Sequence, residues 1–141
     1  MTDFYTLVDD FHLKFKFPRA YSEATRKVLK LRSKLVAEEA REFVEAMENE
    51  DIGQAIKEAC DLLYVTFGFF VTLGIRPDKY FREVHASNMS KVDENGRPRY
   101  REDGKLSKEG TRYWKADMKY LLPPDIRHYV WGPDREEPEE N

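Results

Sequence analysis

Two short acidic motifs stand 15 residues apart in this chain: Glu38-Glu39-Ala40-Arg41-Glu42 and Glu58-Ala59-Cys60-Asp61. Glu39 and Glu42 are three residues apart, as are Glu58 and Asp61, so on helices each pair shares one face. On a helical wheel Glu42 falls between Leu31 and Leu35, and Glu39 falls between Val28 and Phe43. Both therefore lie inside an apolar arc, away from the solvated side that carries Glu45 and Glu48. Asp61 likewise interrupts a segment that is otherwise apolar. A carboxylate taken out of water without a partner costs several kcal/mol, and four such groups facing one core repel one another. A hard divalent cation such as Mg²⁺ or Mn²⁺ answers both problems, because it prefers oxygen ligands and keeps positions open for water and phosphate. Glu-rich helix faces are usually only solvated; two motifs joined across two apolar helices carry more weight than either alone.

The elements that must position these groups can be read from periodicity. Residues 23–48 carry Val28, Leu31, Leu35, Val36, Ala40, Phe43, Val44 and Met47 on one broad arc, which predicts a long helix with Ser22 as a candidate N-cap. Asn49-Glu50-Asp51 breaks the pattern, and a second helix is expected from Asp51 to about Leu73, closed by Gly74. Beyond Ala59 this helix is apolar nearly all round, so it must be covered on several sides, and Cys60 reads as a small core residue. A third helix is expected over about 77–90, with Pro77 at its first position. Phe4, Val8, Phe11 and Phe15 recur at helical spacing near the N-terminus. Asn95-Gly96 and Asp103-Gly104 mark turns in a basic loop over about 92–113, and residues 121–141 read as an acidic, proline-containing irregular tail. The expected organisation is one all-α domain over 1–120 followed by that tail. The second helix presents more apolar surface than two neighbours of one chain can cover, so a homodimer or a dimer of dimers should complete the bundle.

At this level of detail the chain resembles the MazG-like all-α nucleoside triphosphate pyrophosphatases. The likeness rests on the E-E-x-x-E and E-x-x-D motifs in this order. It extends through Asp61-Leu62-Leu63-Tyr64-Val65-Thr66-Phe67-Gly68 and Val84-His85-Ala86-Ser87-Asn88-Met89-Ser90-Lys91, then Asp103-Gly104-Lys105 and Lys108-Glu109-Gly110. It covers about residues 26–115 and is greatest to single-domain forms related to all-α dUTPases; residues 1–25 and the tail carry no likeness. The resemblance implies that Glu39, Glu42, Glu58 and Asp61 ligate two or more Mg²⁺ ions, with Mn²⁺ able to substitute. It implies that Glu38 orients or deprotonates the attacking water, and that Asn88, Lys91, Lys105 and Lys108 reach the phosphates. The reaction would convert a nucleoside triphosphate to its monophosphate and pyrophosphate, with a deoxynucleotide as the expected substrate, in nucleotide pool control. Tyr64 and the aromatics of residues 4–21 are candidates to stack on the base. Phosphoribosyl-ATP pyrophosphohydrolase shares the carboxylate motif and is the competing enzyme reading. A non-catalytic helical dimer with a merely solvated Glu cluster is the competing binding-module reading.

Composition narrows the field further. The chain has 141 residues, a net charge of -3 and 36% charged residues, with a mean hydropathy of -0.76. Nothing in this balance favours nucleic acid or an anionic membrane as a partner, so a small nucleotide is expected instead. The uncharged run from Leu62 to Ile75 spans about 21 Å as a helix, short of the ~30 Å of a bilayer core. A single cysteine excludes an intrachain disulfide, and the N-terminus lacks the pattern of a signal peptide, which together suggest a cytoplasmic protein. No Gly-rich phosphate loop is present. A di-iron carboxylate bundle needs Glu-x-x-His motifs, and none of the three histidines has Glu three residues before it. His12 and His128 each follow an Asp by three residues, a weak metal signal, and His85 reads as a partly buried helix residue.

Overall fold

The computed structural model describes residues 2–129, with side chains through residue 126. The described residues form an all-α protein. Helix α1 spans Phe4–Phe15, a short 3-10 turn spans Tyr21–Glu23, and α2 and α3 span Arg26–Glu48 and Ile52–Leu73. Helix α4 spans Asp78–Met89 and α5 spans Pro124–Tyr129. The chain divides into two compact units, one of residues up to Pro77 together with α5, the other Asp78–Pro123.

In the first unit, α1, α2 and α3 each begin where the backbone N–H groups find a side-chain acceptor. Asp3 accepts from Thr6 N at the start of α1, Thr25 from Val28 N at α2, and Asp51 from Gln54 N at α3. Thr25, not Ser22, is thus the cap of α2. Residues 21–23 are taken by the 3-10 turn, and the helix starts three residues later than its apolar periodicity suggests. Helices α2 and α3 are joined through Asn49, Glu50 and Asp51, with Glu50 in the left-handed region at φ 55°. So short a link makes the two helices antiparallel neighbours. Gly74 ends α3 at φ 66°, where a side chain would be strained and its Cβ would lie 3.0 Å from Arg19 O.

Helix α3 is the centre of this unit, packing against α2 along one side and α1 along another. Val71 and Thr72 are fully buried, and Val8, Ala46, Ala55, Leu73 and Ile75 are buried elsewhere along the same helices and at the end of α3. Small residues at 46 and 55 let the helices approach near the turn that joins them. The all-round apolar character of α3 is not matched by all-round cover: Ile52, Ile56, Leu63 and Tyr64 are exposed, as are Leu31, Val44 and Met47 on α2. Cys60 is also exposed, contrary to its expected place in the core. It sits on the side of α3 that α1 only partly covers. No helix among the described residues is long and apolar enough to cross a membrane.

In the second unit, α4 buries Tyr80 and Ser87. Tyr80 donates from its hydroxyl to Leu121 O (3.2 Å), and Ser87 donates to Trp114 O (2.9 Å). Between these anchors the chain is held by turns at Gly96 and Gly104 and by two isolated antiparallel bridges, Val92 with Pro98 and Tyr100 with Leu106. His85 is exposed on α4 instead of partly buried. The segment expected to be an irregular tail begins with α5, whose Ile126 is buried. The remainder of that segment, with Trp131, lies outside the described residues, as does the side chain of His128.

Candidate active site

The antiparallel register of α2 and α3 sets position 39 opposite positions 58 and 61. One carboxylate oxygen from each of Glu39, Glu58 and Asp61 lies within 4.8 Å of the other two. Glu58 is buried at 4% exposure, and Glu39 and Asp61 are half-buried. Glu42, one turn along α2, is within hydrogen-bond reach of Glu39, though outside this tight trio. Desolvation first, then the neighbouring charges of Glu42, Asp61 and Glu58, push the Glu39 carboxyl above its ordinary value.

The cluster is only partly satisfied within the chain. Glu58 Oε1 accepts from Gln54 Nε2 and lies 3.4 Å from Lys57 Nζ. The same Lys57 ammonium is 2.6 Å from Asp61 Oδ2, so it bridges the E-x-x-D motif. Glu39 Oε2 and Glu58 Oε2 are buried with no hydrogen-bond partner. Two orphaned carboxylate oxygens, aimed into a group of acids, are what a site for a divalent cation leaves when described from the protein side alone. The residues present therefore fit a hard metal ion. Glu38 is exposed on α2 beside the trio.

Tyr64 lies one turn along α3 from Asp61. With Phe4, Leu7, Val8, Cys60, Leu63 and Phe67 it lines an apolar cavity of ≈ 170 Å³ between α1 and α3. Its ring meets Phe11 edge-on at 5.6 Å. The aromatic N-terminal segment and Tyr64 thus come together.

The phosphate-side candidates lie in the second unit, and three of the four gather there. Lys91 Nζ donates to Asn88 Oδ1 (2.9 Å), and Lys91 and Lys108 sit 5.8 and 4.7 Å from the centre of the Tyr113 ring. Lys105 stands apart: its backbone N–H donates to Asp103 Oδ1 in a turn, and its side chain makes no hydrogen bond, ion pair or ring contact with the described residues.

Sequence reasoning missed three residues of interest. Lys57 had a readable signal, since it precedes Asp61 by four residues on a helix and adjoins Glu58. Tyr113, the ring shared by two lysines, had none. Arg32 reads as one more surface base on α2, yet it is buried at 9% exposure.

Residues 4–88 match phosphoribosyl-ATP pyrophosphohydrolase, well over half of the chain. The chain belongs to this family. Membership places it within the MazG-like all-α pyrophosphatase superfamily and makes it a hydrolase of a nucleotide pyrophosphate bond. The match begins at Phe4, so it takes in α1, a segment in which the motifs alone showed no likeness. It includes Glu38, Glu39, Glu42, Glu58 and Asp61 and ends at Asn88, before Lys91, Lys105 and Lys108. No curated protein matches the chain.

Proposed function

We propose that this chain is a Mg²⁺-dependent pyrophosphohydrolase that cleaves phosphoribosyl-ATP and water to phosphoribosyl-AMP and pyrophosphate. The family match supports this substrate over the deoxynucleoside triphosphate that the motif resemblance suggests. The observation that carries the reading is the pair of orphaned, buried carboxylate oxygens on Glu39 and Glu58, inside a cluster of acids that the family match contains.

Glu39, Glu58 and Asp61, with Glu42 beside them, would hold Mg²⁺ or Mn²⁺. Bound in this way, the metal supplies charge neutralisation at the phosphates and lowers the pKa of water. Glu38, adjacent yet exposed, would accept the proton of the attacking water. Tyr64 and the α1–α3 cavity would bind the base, and Asn88, Lys91 and Lys108 are the proposed phosphate-binding group of the second unit. The exposed apolar residues of α2 and α3 support the expected homodimer or dimer of dimers.

Pyrophosphate release should be measured from phosphoribosyl-ATP, the common nucleoside triphosphates and dUTP, with Mg²⁺ and with EDTA. Phosphoribosyl-ATP should turn over fastest, and EDTA should abolish release. Activity that survives EDTA sinks the metal role. Release from a deoxynucleotide with none from phosphoribosyl-ATP sinks the substrate assignment.

A further inference from the structure

Two turns along α2 from Glu39, the same helix pair holds a layer of opposite charge. Arg32 is nine-tenths buried, and no hydrogen bond or ion pair links it to any of the described residues. Its described neighbours are the Phe17 ring, 5.8 Å from the guanidinium carbon, the backbone of α3 at Gly68, and His12. Gly68 leaves the room that the guanidinium uses: a Cβ there would lie 2.8 Å from Arg32 Nη1 and 3.4 Å from His12 Nε2. His12 does not neutralise the charge. Its Nδ1 donates to Pro18 O (2.8 Å), which leaves Nε2 as a bare acceptor on a neutral ring. A guanidinium with five donors and no anion is costly in such a place, and the described residues offer it none. Yet its nitrogens are absent from the sealed, unsatisfied atoms of the protein, so they keep an opening to solvent.

We infer that Arg32 is the anchor of a phosphate subsite, supplying its donors from beside Phe17, His12 and the Gly68 backbone. The planar fork of arginine takes two phosphate oxygens at once, which a surface lysine cannot do. Position 32 lies about 10.5 Å along the helix from position 39, too far to serve the scissile phosphates and far enough to escape the acidic layer. Phosphoribosyl-ATP carries a phosphate on a second ribose, remote from its triphosphate, and that group is the one this subsite takes. The identity of the phosphate rests on the proposed substrate; the need of the guanidinium for an anion does not.

The test uses the full chain in EDTA, so that no metal takes part, with inorganic phosphate as the probe at constant ionic strength. Calorimetry should show phosphate binding to the wild type and its loss in Arg32→Met. The melting temperature of Arg32→Met without phosphate should equal or exceed the wild-type value, because the variant removes an uncompensated buried charge. Binding that persists in Arg32→Met, or is absent from the wild type, overturns the inference. So does sedimentation showing that Arg32→Met falls apart into smaller species while the wild type binds no phosphate, since the guanidinium then serves a subunit contact. If Arg32→Met does not fold, Gly68→Ala displaces the guanidinium with the charge retained and should also weaken phosphate. With Mg²⁺ present, phosphate that competes with phosphoribosyl-ATP in the wild type identifies the subsite as part of the substrate site. In that case kcat/KM for Arg32→Met should fall by ~30-fold or more. Binding without competition identifies free phosphate as the ligand. If the enzyme proves inactive on phosphoribosyl-ATP, the calorimetric arm still decides the subsite.

Discussion

The helix pair α2–α3 carries two charged layers that are built in opposite ways. In one, Glu39, Glu58 and Asp61 converge with a lysine drawn across their edge. In the other, Arg32 lies against Gly68 and His12 and pairs with no acid among the described residues. Had positions 32 and 39 been brought to one level, their charges would have cancelled in an ordinary buried ion pair, and neither layer would need a ligand. Two helical turns keep them about 10.5 Å apart. Each layer is left with a charge that the protein does not itself balance. Uncompensated buried charge weakens a fold, so its presence at two places on one helix pair suits the two ligands proposed above, a cation at one and an anion at the other.

The largest expected effect comes from breaking the acidic layer. Glu39→Gln, Glu42→Gln, Glu58→Gln and Asp61→Asn should each lose most turnover, by roughly 10²-fold or more. None should lower the melting temperature in EDTA by much, and Glu39→Gln should raise it, because an amide ends the desolvation cost and the repulsion that lift the Glu39 carboxyl. Glu38→Gln sharpens the assignment. As the group that handles water it should retain Mg²⁺ binding in calorimetry while turnover falls by about 10²-fold. Near wild-type turnover in all four amide variants places the chemistry elsewhere.

The acidic layer was legible in the sequence because two periodicities agreed: carboxylates three apart, at angles that belong to an apolar arc. The helices were legible for the same reason, and Asp51 and Gly74 marked their ends by cap chemistry that is local. The start of α2 was misread because Ser22 and Thr25 are equally good caps, and only the packing of the 3-10 turn chooses between them. Cys60 was misread because an apolar run does not tell which of its faces a neighbour reaches. The basic layer was invisible. An arginine four residues before Val36 looks like any solvated base, and its burial depends on a glycine 36 residues away and on a loop carbonyl that turns His12 inward.

The basic layer should also show itself in the pH dependence of stability. Burial, and then the neighbouring Arg32, hold the His12 imidazole below its ordinary 6.5, with the Pro18 carbonyl acting in the opposite sense. A histidine with a lowered pKa binds fewer protons folded than unfolded just below pH 6.5. Its contribution to stability is therefore complete above 6.5 and lost as the pH falls towards the lower, folded value. Thermal melts in EDTA should show that loss in the wild type. His12→Asn keeps a donor for Pro18 O and should have a flatter profile from pH 7 to 5, whatever its absolute stability. An equally steep profile in the variant would assign the acid sensitivity to other groups.

The smallest effect concerns the lysine that partly balances the acidic layer. Lys57 Nζ touches Asp61 and lies near Glu58, so a cation entering between these carboxylates must displace it or share them with it. The ammonium is largely exposed, and ion pairs of that kind are weak, so the competition is modest. Lys57→Met should tighten Mg²⁺ binding by a few-fold in calorimetry and lower the melting temperature slightly in EDTA, where the acids lose their internal counter-charge. With saturating Mg²⁺ the two proteins should melt alike. The signs of the two shifts must be opposite, because Lys57 and the metal answer the same excess of negative charge. Weaker Mg²⁺ binding in Lys57→Met would make the lysine a support for the ligands instead of their competitor, and the acidic layer would then be held in shape by a cation of its own, as the arginine layer is not.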